Sequence, residues 1–442
     1  MNPTRRRVLM LAPGCDGEDV GESWSCFKWV EGVAEHHDVT LLTLQRAKQK
    51  PMEEQIPNIR VFSWPDLNLP ERLERFQSMA KPGYFRFYRA ARKWMEKKQR
   101  QGTQFDVVHQ VGPLALRYAS PAAEMPWPYI FGPLAGSLTT PEGFRRECTR
   151  SNSWFTRLRA LDQYRLRFDR QLRRSYERAA IVLAVAPYVG SLLSGIKIKR
   201  IEYMSETGIS DRPLEDSRSR GNTVSTGQTG KGSAGNKGSA GKTASTGKGL
   251  RLLYVGRLVR TKGLRDLIRA MEVLRNVPGL SLDVAGAGED GELCLAEVTK
   301  FKLNDRVHFH GKVSREEVET LYQSADAFVF PSFREPSGNV VFEAMRHGLP
   351  VITTNRGGPG FVVNGESGIR LDAYKPSQLA EDLANAIRKL ASNPAYLQRL
   401  STGACLRVQE VALWPKKIQR IVSLYEQVCN HKHLKGEELS YV

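Results

Sequence analysis

Apolar residues in this chain fall in short runs, each closed by Gly, Pro, Asn, Asp or another turn residue. In the first half the runs are Val8–Ala12, Val39–Leu44, Ile59–Ser63, Val107–Gln110, Tyr129–Phe131, Ile181–Ala184 and Ile201–Met204. Their length and β-branched content predict strands covered on both faces. Several of the intervening stretches space their apolar residues for helices. Strands alternating with helices predict a parallel sheet with crossover connections, an α/β architecture. The rhythm restarts at Leu250 with Leu252–Val255, Ser281–Ala285, Val307–His310, Ala327–Phe330 and Val351–Thr354, and a helix is expected over Leu264–Leu274. The last amphipathic stretch, Leu413-Trp414 to Val428, aligns Ile418, Ile421, Val422, Leu424 and Tyr425 on a helical face. A terminal helix of that kind is expected to pack back across a cleft between two domains.

A length of 442 residues is more than one core usually supports, so two domains are expected. The boundaries read as 1–212 for the first domain, with 414–442 returning to it, and 250–413 for the second. Between them, 213–249 forms a low-complexity insert. From 216 on it is almost entirely Ser, Thr, Gly, Lys, Asn and Ala, with a near-repeat in KGSAGNKGSAGK, and has nothing with which to build a core. Gly241-Lys242-Thr243 imitates the end of a phosphate-binding loop. The glycine that such a loop requires five residues earlier is Asn236, and no strand precedes it, so the motif is rejected.

Charge alters this picture in one respect. With 66 Lys and Arg against 47 Asp and Glu, the net charge is +19. Nucleic acid, an anionic membrane surface or phosphorylated substrates would each suit such a balance. No nucleic-acid recognition motif accompanies it, so no nucleic-acid partner is expected. The positive charge concentrates in 86–100 and 145–178, where Arg alternates with Phe, Tyr, Trp and Leu. Such helices either lie in a membrane interface or pack on their own domain with a solvated basic face. No apolar run reaches the roughly 20 residues of a membrane span. The opening Arg5-Arg6-Arg7 and its apolar run are too short for a signal peptide, so a cytoplasmic protein is expected, with peripheral contact at the inner membrane face as an option. The cysteines (15, 26, 148, 294, 405 and 429) are scattered without a Cys-x-x-Cys pair, as expected of reduced thiols. His308 and His310 share a strand face, but no acidic or Cys neighbour completes a ligand set, and no metal is expected.

Two constellations carry candidate chemistry. In Tyr254-Val255-Gly256-Arg257-Leu258-Val259-Arg260-Thr261-Lys262-Gly263 a strand ends, Gly256 allows a turn, and Arg257 and Lys262 precede a helix. Cations beside a helix N-terminus suit a diphosphate, although such a loop taken alone also describes solvated surface. In Pro331-Ser332-Phe333-Arg334-Glu335-Pro336-Ser337-Gly338-Asn339-Val340-Val341-Phe342-Glu343, Glu335 follows a strand and Gly338 permits close backbone approach. A helix begins at Asn339, and Glu343 lies about one turn in, where it can accept from a ribose diol. Gly348-Leu349-Pro350-Val351-Ile352, Gly357-Gly358-Pro359 and Asn364-Gly365-Glu366-Ser367-Gly368 follow.

Together with VAGAGEDG at 284–291 and the segment from Val307 to Ser332, these motifs resemble glycosyltransferase family four over most of 250–430. The resemblance implies the GT-B fold, two facing Rossmann-like domains with a C-terminal helix crossing back to the first. It places Arg257 and Lys262 on the diphosphate of a nucleotide sugar such as a UDP- or GDP-sugar, close to the turn at Gly256. Glu335 then faces the donor sugar, the amides of Gly338, Asn339 and Val340 surround sugar and phosphate, and Glu343 binds the ribose. The family usually carries a glutamate near the position of Phe361. On the acceptor side the resemblance is looser. It points to Gly21 and Glu22 after the first strand, to His109, and to Gly132 and Gly136 in a Gly-Pro-x-x-Gly loop where many relatives have a histidine. Glu206-Thr207-Gly208-Ile209 is expected to mark the exit from the first domain.

The implied activity is a metal-independent, retaining hexosyltransferase without cofactor, and no Asp-x-Asp occurs in the sequence. Its partners would be a nucleotide-sugar donor and a glycan or lipid-linked acceptor, in cell-envelope or exopolysaccharide synthesis. The rival readings are an epimerase or phosphorylase on the same fold, and a catalytically silent sugar-nucleotide-binding partner.

Overall fold

A computed structural model describes residues 5–47, 49–67, 80–148, 160–210 and 249–430. The low-complexity insert falls outside the described residues, except for Gly249, as does the chain beyond 430. Two parallel sheets account for all the predicted strands. The first contains β1 (Arg7–Leu11), β2 (Asp38–Gln45), β3 (Arg60–Pro65), β4 (Val107–Gln110), β5 (Tyr129–Leu134), β6 (Ile181–Ala184) and β7 (Ile201–Tyr203), in the order β3-β2-β1-β4-β5-β6-β7. The second contains β8 (Arg251–Val255), β9 (Ser281–Ala285), β10 (Val307–Gly311), β11 (Ala327–Phe330), β12 (Val351–Thr354) and β13 (Gly368–Leu371), in the order β10-β9-β8-β11-β12-β13. Both sheets start in the middle and reverse direction beside their first strand, which opens a crevice at the carboxyl ends of the strands. The two domains are Rossmann-like, and the architecture is GT-B.

The pattern of burial explains the strands. Val8, Leu9, Met10 and Leu11 of β1 are wholly enclosed, because β2 and β4 flank it and helices cover both faces. β13 was not anticipated. Gly368-Ile369-Arg370-Leu371 is an edge strand with a glycine and an arginine in four residues, and it is held by pairing with β12.

Of the two basic stretches, the helix Tyr84–Arg100 turns Tyr84, Phe87, Ala91 and Met95 into the core of the first domain and leaves Arg86, Arg89 and Lys93 in solvent. Its apolar face is therefore used by its own domain. The stretch 145–178 is divided. Helices Ala160–Phe168 and Arg170–Arg178 lie on the first domain's side of the chain, with Tyr164 and Phe168 exposed and their rings in a tilted contact at 4.7 Å. The beginning of that stretch behaves differently.

The short turn Glu142–Phe144 and helix Arg145–Cys148 leave the first domain and dock on the second. Phe144 is fully buried in the second domain's core, 4.2 Å from the ring of Phe333. Glu147 accepts from Arg260 Nε at 2.7 Å, and Arg260 is held bidentately by the buried Asp266 at 2.6 and 2.8 Å. The chain end makes the reciprocal exchange. Helix Trp414–Asn430 places Ile418, Ile421, Leu424 and Tyr425 in the first domain's core. It lies against helix Glu22–His36 so closely that a Cβ on Gly32 would fall 2.5 Å from Ile418. Trp414 meets Trp29 edge-on at 5.3 Å, and a parallel bridge joins Ile209 to Leu413 where the chain crosses.

Replacing Phe144 with Ala empties a site wholly enclosed by the second domain. We expect its unfolding free energy to fall by about 3–5 kcal/mol. Chemical denaturation of the full chain measures this. A loss below about 1 kcal/mol would show that the docked segment contributes little to that core.

Candidate functional site

The carboxyl ends of β8 and β11 bring the two motifs together. Lys262 ends the turn Arg260–Lys262 after β8, and its ammonium forms an ion pair with the Glu335 carboxylate on the loop after β11. Both side chains are mostly enclosed, and the Lys262 Nζ also lies 5.5 Å over the ring of Phe330. Burial, followed by the charges of Arg257 and Arg334, pushes the Lys262 ammonium down to about 7. The single carboxylate of Glu335 thus faces an excess of positive charge. Arg257 projects into solvent at the same edge.

Glu335 is fixed by its own loop. Its Oε1 accepts from the Ser337 amide at 3.4 Å and its carbonyl accepts from the Gly358 amide at 3.1 Å. Gly338 follows at φ +83°, where a Cβ would press on Pro359 at 2.7 Å. That left-handed turn starts helix Asn339–Arg346, so the first amides, at Asn339 and Val340, have no acceptor within the helix and are free to meet an anion. One turn on, Glu343 accepts from Tyr322 at 3.0 Å and lines a cavity of about 210 Å³. Trp24, Thr207 and Gly208 close the cavity from the other side. The residues assigned to the donor thus converge on one cleft, and the first domain covers the part nearest Glu343.

The acceptor-side residues separate into two groups. Gly21, at φ +66°, starts helix Glu22–His36 and faces open space. Glu22 accepts from the Leu114 amide at 3.1 Å and pairs with Lys81 at 2.8 Å, which ties it to the loop after β4. The Gly136 amide donates to the Tyr188 hydroxyl at 3.1 Å at the cleft edge. His109 and Gly132 are different, and the structure corrects their assignment. His109 is fully buried, with Nδ1 2.6 Å from the Tyr425 hydroxyl and Nε2 2.7 Å from the Gly132 carbonyl. Both ring nitrogens are spent, and burial lowers its pKa to about 4. It ties the terminal helix to β5. Gly132 lies inside β5, where a Cβ would fall 2.2 Å from the Leu183 carbonyl oxygen. A second correction concerns His310, which has an acidic neighbour after all, Asp283 at 2.7 Å across β9 and β10.

Sequence reasoning missed several cleft residues. Arg334 donates to Thr140 at 3.1 Å, and Arg356 donates to the carbonyls of Phe333 at 3.1 Å and Thr139 at 2.7 Å. Both link the donor loops to the first domain, and burial lowers the pKa of each. Adjacency to Glu335 and to Gly357-Gly358 was the available signal. Glu206, expected only to mark a boundary, is interior and hydrogen-bonded to Ser337 of the donor loop. Its Oε2 has no partner among the described residues, and burial raises its pKa. Lys417 lies nearby with Nζ on the Ser205 carbonyl at 2.6 Å, pushed down to about 7 by its own burial.

Two facing Rossmann-like domains with cations and helix amides at the second domain's crevice define a GT-B glycosyltransferase scaffold. Comparison with known proteins agrees. The "Glycosyl transferase 4-like domain" family matches residues 23–204 and "Glycosyl transferases group 1" matches residues 239–405, so the two together span most of the chain. The chain belongs to glycosyltransferase family four. Glycogen synthase of Mycobacterium tuberculosis is 37% identical over 165 residues, covering 37% of this chain and 39% of that protein. A putative glycosyltransferase of Bacillus subtilis, YtcC, is 31% identical over 192 residues, covering 41% and 46%. The matched stretch spans less than half the length of these curated relatives. Among solved structures, sucrose-phosphate synthase from Thermosynechococcus elongatus superposes with a TM-score of 0.61 at 20% identity, over 96% of this chain and 99% of the other. HepE of Anabaena, in complex with UDP and glucose, gives 0.56 at 16% identity, over 96% and 100%. These two likenesses concern the fold.

The depressed Lys262 generates a test. Without a ligand its ammonium loses a proton from about pH 7 upward. A diphosphate beside it would favour the charged form, so binding should take up a proton between about pH 7 and the ordinary lysine range near 10.4. Calorimetric titration with UDP at pH 8 in buffers of different ionisation enthalpy measures this, and a binding enthalpy independent of buffer would contradict it.

Proposed function

We propose that the chain is a nucleotide-sugar-dependent glycosyltransferase that binds the donor diphosphate between Arg257, Lys262 and the amides of Gly338, Asn339 and Val340. Glu335 faces the donor sugar and Glu343 holds the ribose. The observation that carries this reading is the meeting of Lys262, Glu335 and the Gly338 turn at one crevice, with Glu343 a turn further on.

In sugar transfer the anomeric carbon develops oxocarbenium character as negative charge builds on the departing diphosphate. Preorganised donors in a water-poor site stabilise that charge, and Lys262 is enclosed as this role requires. Fixed cations and amides can do this without a metal. Family membership favours retention of anomeric configuration, with the acceptor approaching on the face that the diphosphate leaves. Glu335 and Glu343 have different surroundings, one on a cation and the other on a tyrosine, which argues against a hydrolase-like carboxylate pair.

We assign the acceptor to glycans or lipid-linked sugars of envelope or exopolysaccharide synthesis. Peripheral contact with an anionic membrane belongs to the same proposal. The exposed pair Tyr164 and Phe168, with Arg167 5.4 Å over the latter ring, supports it, and no helix among the described residues is long and apolar enough to cross a membrane.

The Lys262→Ala variant should fold and lose at least about a hundredfold in transfer, the scale for removing one charge-stabilising donor. Donors are first found by thermal shift across a panel of sugar nucleotides, since a ligand that binds the folded state stabilises it by mass action. Release of nucleoside diphosphate then gives turnover. Wild-type turnover in a folded Lys262→Ala protein would overturn the assignment. Stabilisation by a sugar nucleotide with no turnover on any acceptor would favour the silent binding partner.

A further inference from the structure

A second cavity, of about 440 Å³, opens on the same crevice beyond Glu335. The order of strands locates it. Arg257 and Lys262 follow β8, Glu335 follows β11, and this cavity is lined by Asn355, Arg356 and Phe361 after β12 and by Arg370 of β13. It therefore continues across the sheet in the direction from diphosphate to sugar. Gly357 marks the junction. At φ +62° a Cβ there would fall 1.9 Å from the Glu335 carbonyl oxygen, so the cavity begins one backbone layer from the donor loop. The opposite wall comes from the first domain, with Leu138 after β5 and Tyr188 after β6.

Its lining has two chemistries. Tyr188 and Phe361 are partly exposed aromatic rings on opposite domains, and Phe361 also packs on Tyr203 at 5.9 Å. Flat, half-exposed rings suit the apolar face of a sugar. Arg356 and Arg370 supply two guanidiniums. Arg356 is half-enclosed and bonded only to carbonyls, those of Phe333 and Thr139. Arg370 spends Nη1 on the Gly360 carbonyl at 3.2 Å, and its Nε and Nη2 have no protein acceptor among the described residues. Among those residues neither guanidinium has a carboxylate within ion-pair distance. By contrast, Arg260, Arg265 and Arg269 of the same domain are all neutralised by Glu147, Asp266 or Glu297. Two cations left without counter-charge in one partly enclosed cavity mark a place for an anion.

We propose that this cavity is an acceptor subsite selecting a sugar that carries an anionic group, with the ring between Tyr188 and Phe361 and the anion on Arg356 and Arg370. The inference rests on the glycosyltransferase reading of the cleft. It goes beyond that reading in giving the acceptor a charge and in bringing it in over β5 and β6, away from the loop after β1 that holds Gly21 and Glu22. Phosphate and carboxylate share the required chemistry, since both present two oxygens to a guanidinium fork.

The full chain is titrated by calorimetry with glucose 6-phosphate, glucuronate, glucose and inorganic phosphate, and separately with UDP, GDP and ADP. We expect one or both anionic sugars to bind at least about tenfold more tightly than glucose, the scale of one charge-assisted hydrogen bond, and more tightly than inorganic phosphate. The tighter of the two names the anion as phosphate or uronate. Arg370 is exposed at a strand edge, so Arg370→Gln should fold, weaken the preferred anionic sugar about tenfold and leave UDP within about twofold. Phe361→Glu, which adds a negative charge to the wall, should also remove the preference for anions. Glucose binding as tightly as both anionic sugars, or unchanged affinity in Arg370→Gln, overturns the subsite while UDP binding keeps the donor reading intact. Failure of the wild-type protein to bind UDP, GDP or ADP overturns the donor reading instead.

Discussion

Each domain keeps part of the other's chain in its core, and the geometry of the cleft depends on that exchange. Phe144 leaves the first domain and is enclosed among residues of the second, while Ile418, Ile421, Leu424 and Tyr425 return from the second and complete the first. Fully burying one such side chain contributes about 1.5–3 kcal/mol. Several together therefore outweigh the freedom that two domains joined by single strands of chain would otherwise have. The polar contacts follow the apolar ones. Arg260 is enclosed between the rings of Phe144 and Phe333 at 5.3 and 5.4 Å, and a guanidinium there requires the carboxylates of Asp266 and Glu147. Removing either partner would leave a buried charge without compensation, which costs more than the pair itself contributes.

This fastening sets what the crevice can do. The loops that carry Arg334, Glu335 and Arg356 are bonded to Thr139 and Thr140, a few residues before the docked Phe144. The donor loop is therefore positioned by the first domain as well as by its own sheet. The two ionisable groups at the domain junction, Glu206 and Lys417, are enclosed without a full set of partners, and each is displaced toward its neutral form. Charge is tolerated where it is matched, as at Arg260. It is left unmatched at Arg356 and Arg370, which line the crevice, and Lys262 shares the single carboxylate of Glu335 with the field of Arg257 and Arg334. The local cost of these unmatched cations is what a bound anion would relieve, and burial in the surrounding fold offsets it.

Much of this architecture was legible in the sequence. Short apolar runs bounded by turns located the strands from β1 to β12, because a strand covered on both faces leaves a continuous apolar signature. β13 lacks that signature, since an edge strand with Gly368 and Arg370 reads as loop until β12 is beside it. The donor motifs were legible because each follows a strand and opens a helix, so that sequence order is also order along the crevice. The interdomain contacts had no such signal. Glu147 meets Arg260 across 113 residues, and His109 meets Tyr425 across 316, distances over which periodicity carries nothing. His109 shows the consequence. A histidine after a strand of this fold resembles a cleft residue until the terminal helix supplies the hydroxyl that uses its second nitrogen.

The basic composition is also explained locally. A net charge of +19 first suggested a surface for polyanions. The helix Tyr84–Arg100 instead presents its cations to solvent while its aromatic face packs inward, and such charges, screened within about 8 Å at physiological salt, act weakly on a distant ligand. The cations around the crevice are fewer, but they share one carboxylate, that of Glu335, and Lys262 is enclosed where water is largely excluded. Interaction energy scales inversely with both distance and effective dielectric constant, so a handful of such groups outweighs the surface excess in deciding what binds. The total charge is therefore a poor guide to the ligand of this protein, and the two crevice arginines without carboxylates, with the Lys262–Glu335 pair beside them, are a better one. On the proposed reading, their arrangement from β8 to β13 would order the cleft from the donor diphosphate, through Glu335, to the cavity beyond it.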